Sequence, residues 1–239
     1  MVPAPLSITA VDLASVPGDV LANAAAAAEA IRSARADAVV FPELFLSSYD
    51  LSISPGCALD EHDERLAPIA EACSQAARHA FVSAPLRAAG DGVHIGLLWF
   101  SADGVVRTAY TKQNVDPTEQ PFYATGGPSA IVEIEGWKLG LGICYDAAFP
   151  EHARQAALDG AHAYLVPSAY PAGGGQERRR IYLQARALEN TLYVVSADVA
   201  GALAFGPDGI ERDAELVMLD GPTLAETRAQ LTMLVDRRF

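Results

Sequence analysis

Trp137-Lys138-Leu139-Gly140-Leu141-Gly142-Ile143-Cys144-Tyr145-Asp146-Ala147-Ala148-Phe149-Pro150-Glu151 is the stretch whose reading decides the fold. An apolar run with strand character, 137–143, gives way to a tight polar turn that opens on Cys144, and a helix-like segment, 150–160, follows. A thiol at the end of a buried strand is held rigidly yet can face a pocket. That placement suits a nucleophile, provided a base and an oxyanion stabiliser stand beside it. Two other apolar runs end in the residue types required: Val39-Val40-Phe41-Pro42 leads to Glu43, and Val105–Thr111 leads to Lys112. Each residue alone has an ordinary structural explanation: a cysteine as a small buried hydrophobe, a loop carboxylate, a solvated lysine. Strand ends on one rim of a layered fold can converge on one site, so the recurrence carries more weight than any single position.

Working outward, strands alternate with helices. Leu6–Val11 reads as a first strand and Asp19–Arg35 as a helix capped by Gly18 or Asp19. Asp37–Phe41 is apolar enough to be buried on both faces. A second helix is expected from Asp60 or His62 to His79, then strands at Phe81–Leu86, Val93–Phe100 and Val105–Thr111. Ala102-Asp103-Gly104 makes the last two a hairpin, and Glu135-Gly136 does the same for Ala130–Ile134 and 137–143. Beyond the cysteine come a strand at Ala163–Val166, a glycine loop at Pro171–Gly175, a helix at Gln176–Glu189, a strand at Leu192–Ala197, a final strand at Ala214–Leu219 and a closing helix at Pro222–Leu231. No repeat or linker interrupts this pattern. At 239 residues the chain is expected to be a single domain, 1–239, of α/β class, with two sheets between outer helices.

Phe41-Pro42-Glu43, Tyr110-Thr111-Lys112 and Gly142–Glu151, in that order, resemble the signatures of the carbon–nitrogen hydrolase (nitrilase and amidase) superfamily, and Gly126 and Arg186-Ala187-Leu188-Glu189-Asn190 add to the match. The likeness runs from Leu6 to about Gly201. It implies a four-layer αββα sandwich with two mixed sheets, often paired into a homodimer across its helices. It implies a cysteine-dependent hydrolase in which Cys144 attacks the carbonyl carbon, Glu43 moves protons, and Lys112 stabilises the oxyanion with the backbone N–H of Tyr145. A second glutamate common in these proteins corresponds to Glu119, expected to orient the lysine and the substrate.

The expected substrate is a small amide, converted through a thioester to an acid and ammonia or an amine. Tyr145, where true nitrilases tend to carry tryptophan, favours amide over nitrile. A nitrilase, an acyltransferase and a catalytically silent interaction protein of the same fold are the alternatives, and intact Glu43, Lys112 and Cys144 favour a hydrolase.

The chain also departs from its relatives. Ala147-Ala148 replaces an arginine common after the Tyr-Asp pair in relatives acting on ω-amides, and Asn114 and Asp198 stand where histidine and asparagine are usual. The pocket floor is therefore expected to be small and apolar, with Arg178, Arg179 or Arg180 as the competing source of a cation. Those arginines otherwise read as a solvated helix face. His152 reads as an exposed residue of a first helical turn. The segment 202–209 reads as a reduced version of the strand and turn expected there.

A net charge of −13 argues against nucleic acid and anionic membranes as partners. No apolar stretch reaches bilayer length, and Met1-Val2-Pro3-Ala4-Pro5 lacks a basic leader, so the cytoplasm is the expected compartment. Cys57, Cys73 and Cys144 cannot all pair and match no zinc spacing. No metal or other cofactor is expected.

Overall fold

The computed structural model describes residues 3–88 and 92–236. Within it, β1 (Leu6–Ala10), α1 (Val20–Ser33), β2 (Ala38–Val40), α2 (Ala67–Ala76), β3 (His79–Arg87), β4 (Val93–Phe100) and β5 (Val106–Thr111) form one half. The other half holds β6 (Ala130–Ile134), β7 (Trp137–Leu141), α3 (Pro150–Leu158), β8 (Ala163–Leu165), α4 (Gly174–Asn190), β9 (Tyr193–Ser196), β10 (Leu203–Phe205) and β11 (Glu211–Arg212). The chain then returns with β12 (Val217–Leu219), α5 (Gly221–Gln230) and α6 (Met233–Asp236). Each half contributes a six-stranded sheet, ordered β12-β1-β2-β3-β4-β5 and β11-β10-β9-β8-β7-β6, except that β12 crosses back to edge the first sheet. Both sheets are mixed: β1-β2-β3 and β7-β8-β9 run parallel and their outer neighbours antiparallel.

Alternation along the central strands explains the layering. Ala38 and Val40 face the core between the sheets, whereas Val39 faces the cluster under α1 and α2. In the second sheet Ala163 and Leu165 face inward, and Tyr164 packs under α3 and α4. Successive strand side chains point to opposite faces, and here both faces are covered, so the strands read as unbroken apolar runs. The result is the expected αββα sandwich, with Trp137 fully buried in its inner core.

Several boundaries differ from the sequence reading. Asp19 is the residue that caps α1, its side chain accepting from the Ala22 N–H at 3.0 Å. The second helix is shorter than expected because it starts at Ala67, with Pro68 in its first turn, after a 3₁₀ turn at Glu64–Leu66, and Ala77 ends it in the left-handed conformation at φ 51°. His79 therefore begins β3. The final strand keeps only Val217–Leu219 of the expected Ala214–Leu219. Gly174 and Gly175 belong to α4 and not to the preceding loop. Segment 202–209 contains β10, which pairs with β9 and with the short β11. Among the described residues no helix is long and apolar enough to cross a membrane.

Candidate active site

Cys144 follows β7 by three residues, where the chain extends the line of the sheet: Gly142 N–H donates to Leu165 O at 3.0 Å and Cys144 N–H to Pro167 O at 2.8 Å. Glycine is required at 142, since a Cβ there would lie 2.0 Å from the Tyr164 hydroxyl. The backbone then turns sharply. Cys144 sits at φ 45°, a left-handed conformation that costs a non-glycine residue about 1–2 kcal/mol. Surrounding bonds hold it there. Asp146, wholly buried, accepts from the Ile143 N–H at 2.9 Å and the Tyr110 hydroxyl at 2.8 Å, and from the Asn114 N–H and side-chain amide at 2.8 and 2.9 Å. The turn bearing Cys144 is thus tied to the loop that leaves β5. The Tyr170 hydroxyl adds a bond to Cys144 O at 3.1 Å.

Glu43 and Lys112 reach the same point from the other sheet. Glu43 lies just past β2, where its N–H donates to Ser168 O at 3.2 Å and the next residue, Leu44, takes a φ of 52° with its N–H on Ser83 Oγ. Lys112 closes β5, donating from its N–H to Ile95 O at 2.8 Å. Its ammonium donates to Glu43 Oε1 at 2.6 Å and to Glu119 Oε2 and Oε1 at 2.7 and 2.8 Å. Glu119 is held further by the Tyr49 hydroxyl at 2.6 Å and the Asp116 N–H at 2.9 Å. All three ionisable side chains are buried, and Glu43 Oε2 has no donor in bonding geometry among the described residues.

Two carboxylates and one ammonium in a dry site cannot all keep their solution chemistry. Burial, with the charge of Glu119 adding to it, pushes the Glu43 carboxyl up to about 7 against the pull of Lys112. Burial alone would lower Lys112, but the charges of Glu43, Cys144 and Glu119 hold it above the usual lysine range. The Cys144 thiol, 8% exposed, is pushed well above its ordinary value by burial and by Glu43, with Lys112 and the Ala169 backbone opposing. At neutral pH the cluster holds a protonated thiol beside a carboxyl poised to take its proton, and a fixed cation next to both. Such a set can perform nucleophilic attack with general-base assistance and stabilise an oxyanion.

A cavity of about 430 Å³ opens on Cys144 and Glu119. Tyr49, Tyr145, Tyr170 and Tyr182 line it, with Arg178 of α4. Of the four acidic, basic and thiol residues expected from the sequence, Cys144 and Glu119 line the cavity, and Lys112 and Glu43 lie buried behind them, while Tyr145 lines it with its ring edge-on to Phe149 at 5.1 Å.

Other expectations are corrected. Ala147 is buried and neither it nor Ala148 lines the cavity; Ala169 and Pro171 supply small apolar surface there, beside the tyrosines. His152 is 5% exposed, bonded through Nε2 to the Tyr110 hydroxyl at 2.9 Å and through Nδ1 to that of Tyr164 at 2.8 Å, and burial lowers its proton affinity. The three arginines of α4 do not form one solvated face. Arg179 is 1% exposed and donates to Ser196 O at 3.0 Å and Gly201 O at 2.8 Å, while Arg180 pairs with Glu211. Asn114 holds Asp146, and Asp198 accepts from the N–H groups of Tyr170 and Ala200, both at 2.9 Å. Sequence reasoning missed Tyr49, Tyr170 and Tyr182, which lie on loops or a helix with no local signal. It also missed Asp146, whose place two residues after the cysteine was the available clue. Among the described residues no group of His, Cys, Asp and Glu is arranged to hold a metal.

The model of the carbon–nitrogen hydrolase family matches residues 7–222. The hydrolase of the pqqF 5′ region of Pseudomonas protegens is 32% identical over 235 residues, spanning 87% of this chain and 80% of its own. An (R)-stereoselective amidase from a Pseudomonas species is 31% identical over 212 residues, spanning 86% and 74%. Among solved structures, a mutant of the amidase from Nesterenkonia sp. AN1, carrying the acetamide moiety of fluoroacetamide added covalently at its active-site cysteine, matches with a TM-score of 0.78 at 25% identity, over 100% of this chain and 96% of that one.

Proposed function

We propose that this chain, which belongs to the carbon–nitrogen hydrolase family, is a cysteine-dependent amidase that converts a small amide to an acid and ammonia or an amine. The observation that carries the reading is the Cys144 thiol, open to the cavity, with a buried Glu43–Lys112 pair at 2.6 Å acting on it from behind. Amidases among the relatives and structural neighbours support the choice of amide.

Cys144 Sγ attacks the carbonyl carbon as Glu43 takes the thiol proton, so the strongly basic free thiolate need not accumulate. Charge developing on the carbonyl oxygen is met by Lys112 Nζ and the Tyr145 N–H; losing one such donor typically costs about 3 kcal/mol. Collapse breaks the C–N bond, and Glu43 returns the proton to the departing nitrogen, leaving a thioester on Cys144. Glu43 then takes a proton from water as the water oxygen attacks the thioester carbon. The C–S bond breaks, the acid leaves, and Glu43 hands the proton back to sulfur. Glu119, bonded to Lys112 through both oxygens, holds the ammonium and acts on geometry rather than on protons.

Ammonia release from a panel of small amides and nitriles, with mass spectrometry of the quenched enzyme, tests the reading. Amide turnover with an acyl mass on Cys144, both abolished in a folded Cys144→Ala variant, is expected. Turnover surviving in that variant, or hydrolysis of nitriles alone, would sink it.

A further inference from the structure

The Tyr170 hydroxyl has no part in the chemistry above, yet it meets the nucleophile's own backbone. It donates to Cys144 O at 3.1 Å, and among the described residues it is the one side chain bonded to that oxygen. Burial, with the charges of Cys144 and Glu43, makes it hold its proton far more tightly than a free phenol does, so it stays a donor. Both backbone groups of Tyr170 are anchored. Its N–H donates to Asp198 Oδ2 at 2.9 Å, and its carbonyl accepts from Gln176 Nε2 at 2.7 Å. Asp198 is wholly buried, and Arg179 Nε lies 3.8 Å from the same Oδ2. The carboxylate at 198, one of the chain's departures from its relatives, therefore fixes the residue whose hydroxyl reaches Cys144.

The oxygen that Tyr170 holds belongs to the peptide group joining Cys144 to Tyr145. A trans peptide is planar, with its C=O and N–H pointing in opposite directions. Fixing the oxygen therefore aims the Tyr145 N–H, the backbone donor that meets charge on the substrate oxygen. As the second residue of the 3₁₀ turn Cys144–Ala148, Tyr145 has no acceptor for that N–H within the turn. A carbonyl that accepts a hydrogen bond also polarises its own amide, so the N–H at the other end becomes a stronger donor. The plane needs such a hold. Cys144 sits at φ 45°, a conformation that a residue with a side chain keeps only when its surroundings enforce it. Rotation of the 144–145 peptide would swing the N–H away from the cavity. The bonds that Asp146 accepts reach the Ile143 N–H and not this peptide.

We propose that Tyr170 is a positioning residue for the oxyanion hole: its hydroxyl, through the Cys144 carbonyl, fixes and polarises the Tyr145 N–H that receives the developing charge. This role rests on the amidase reading for the reaction it serves, and not for the aim of the N–H itself. Segment 168–170 thereby serves three members of the site. Ser168 O takes the Glu43 N–H, Ala169 acts on the Cys144 sulfur through its backbone, and Tyr170 sets the oxyanion donor.

Tyr170→Phe deletes the hydroxyl and keeps the ring, and two probes of Cys144 separate the aim of the donor from the fold. Butyraldehyde lets Sγ add to its carbonyl carbon: the C–S bond forms, the carbonyl π pair moves to oxygen, and the thiol proton passes by way of Glu43 to that oxygen. It has no group to lose, so the adduct stays tetrahedral with its oxygen in the oxyanion hole. Methyl methanethiosulfonate instead transfers its methylthio group to Sγ, expels methanesulfinate with the thiol proton, and builds no such oxygen. The readout is protection of Cys144 by butyraldehyde against methyl methanethiosulfonate, followed as mass on the Cys144 peptide. In Tyr170→Phe the half-protecting concentration is expected to rise about tenfold, the effect of weakening one aimed donor, while labelling without aldehyde keeps its rate. For the best substrate of the amide panel, kcat should fall by the same factor with KM little moved, since the donor is needed most at the charged stage. An unchanged half-protecting concentration would overturn the proposal and leave the amidase standing. So would an unprotected Cys144 in the unaltered protein, which would mean that no oxyanion hole is formed there. A labelling rate that falls as far as the protection does would overturn it too, because Tyr170 would then be holding the thiol or the fold. Tyr170-dependent protection without turnover of any amide would keep the positioning role and remove the amidase reading.

Discussion

Two clusters of buried polar side chains flank Cys144, and they are built on opposite terms. In front, with Glu119 lining the cavity, Glu43, Lys112 and Glu119 place two carboxylates on one ammonium, and Glu43 Oε2 is left without a donor among the described residues. Behind, Asp146, Tyr110, His152 and Tyr164 are all satisfied: Asp146 accepts four bonds and both ring nitrogens of His152 are engaged. Buried polar groups with every partner present fix geometry, whereas an under-compensated buried charge keeps free energy in hand. The rear cluster holds the turn in its left-handed conformation, and the front cluster is therefore free to be electrostatically frustrated. The contrast places reactivity on one side of the cysteine and rigidity on the other.

Removing the front cation should produce the largest effect. Lys112→Met leaves Glu43 and Glu119 buried against each other and takes away the proposed oxyanion donor. Single-turnover acyl transfer to Cys144 should slow by about a hundredfold or more. Urea titration at about pH 8 should show a loss of about 3–5 kcal/mol, as for any buried pair broken on one side. A variant that keeps its rate would show that the ammonium serves only to neutralise the two carboxylates.

The rear cluster should answer differently. Asp146→Asn keeps the volume, but each carboxylate oxygen accepts two bonds, so two of the four donors then meet an amide N–H₂ and not an acceptor. A stability loss of about 2–4 kcal/mol is expected, the cost of orphaning buried donors. Substrate KM should change little, because Asp146 does not line the cavity, while kcat falls as the turn loosens. An equal or larger loss in Lys112→Met stability without any loss here would break the division between the clusters.

The same division explains what the sequence made legible. Glu43, Lys112 and Cys144 each close an apolar strand, and the convergence of strand ends could be read from the chain because strand periodicity and burial are local patterns. The apolar inner and outer faces of β2 and β8 were visible for the same reason. What stayed hidden depends on contacts between distant segments. Arg179 looks like a surface residue until Ser196 and Gly201 fold over it, and His152 looks exposed until Tyr110 and Tyr164 enclose it. Tyr49 reaches Glu119 across 70 positions from a loop with no periodicity. Strands as short as β10 and β11 carry too few residues for alternation to show.

Glu43 offers the finest test of the comparison, because its titration reports the frustration directly. Its carboxyl moves from 4.5 to about 7 on folding, so the native state binds that proton more tightly than the unfolded chain does. A raised folded-state value stabilises the protein fully below the unfolded value, and that contribution is lost as pH climbs through the folded one. The Glu43 contribution to stability should therefore decline between about pH 4.5 and pH 7, opposed by the gain from His79, His152 and His162, whose proton affinities are lowered by burial. Gln at this position mimics the protonated carboxyl and does not titrate. Glu43→Gln should match the wild type near about pH 4 and exceed it by about 1–3 kcal/mol at about pH 8, while losing turnover at both. Wild-type kcat/KM should run the other way, rising with pH through about 7 as the base loses its proton. The opposition of the two curves is the prediction: the proton whose loss weakens the fold is the one whose loss arms the site. If Glu43→Gln proves less stable than the wild type at both pH values, Glu43 belongs with Asp146 as a satisfied anchor, and the front cluster is not frustrated at all.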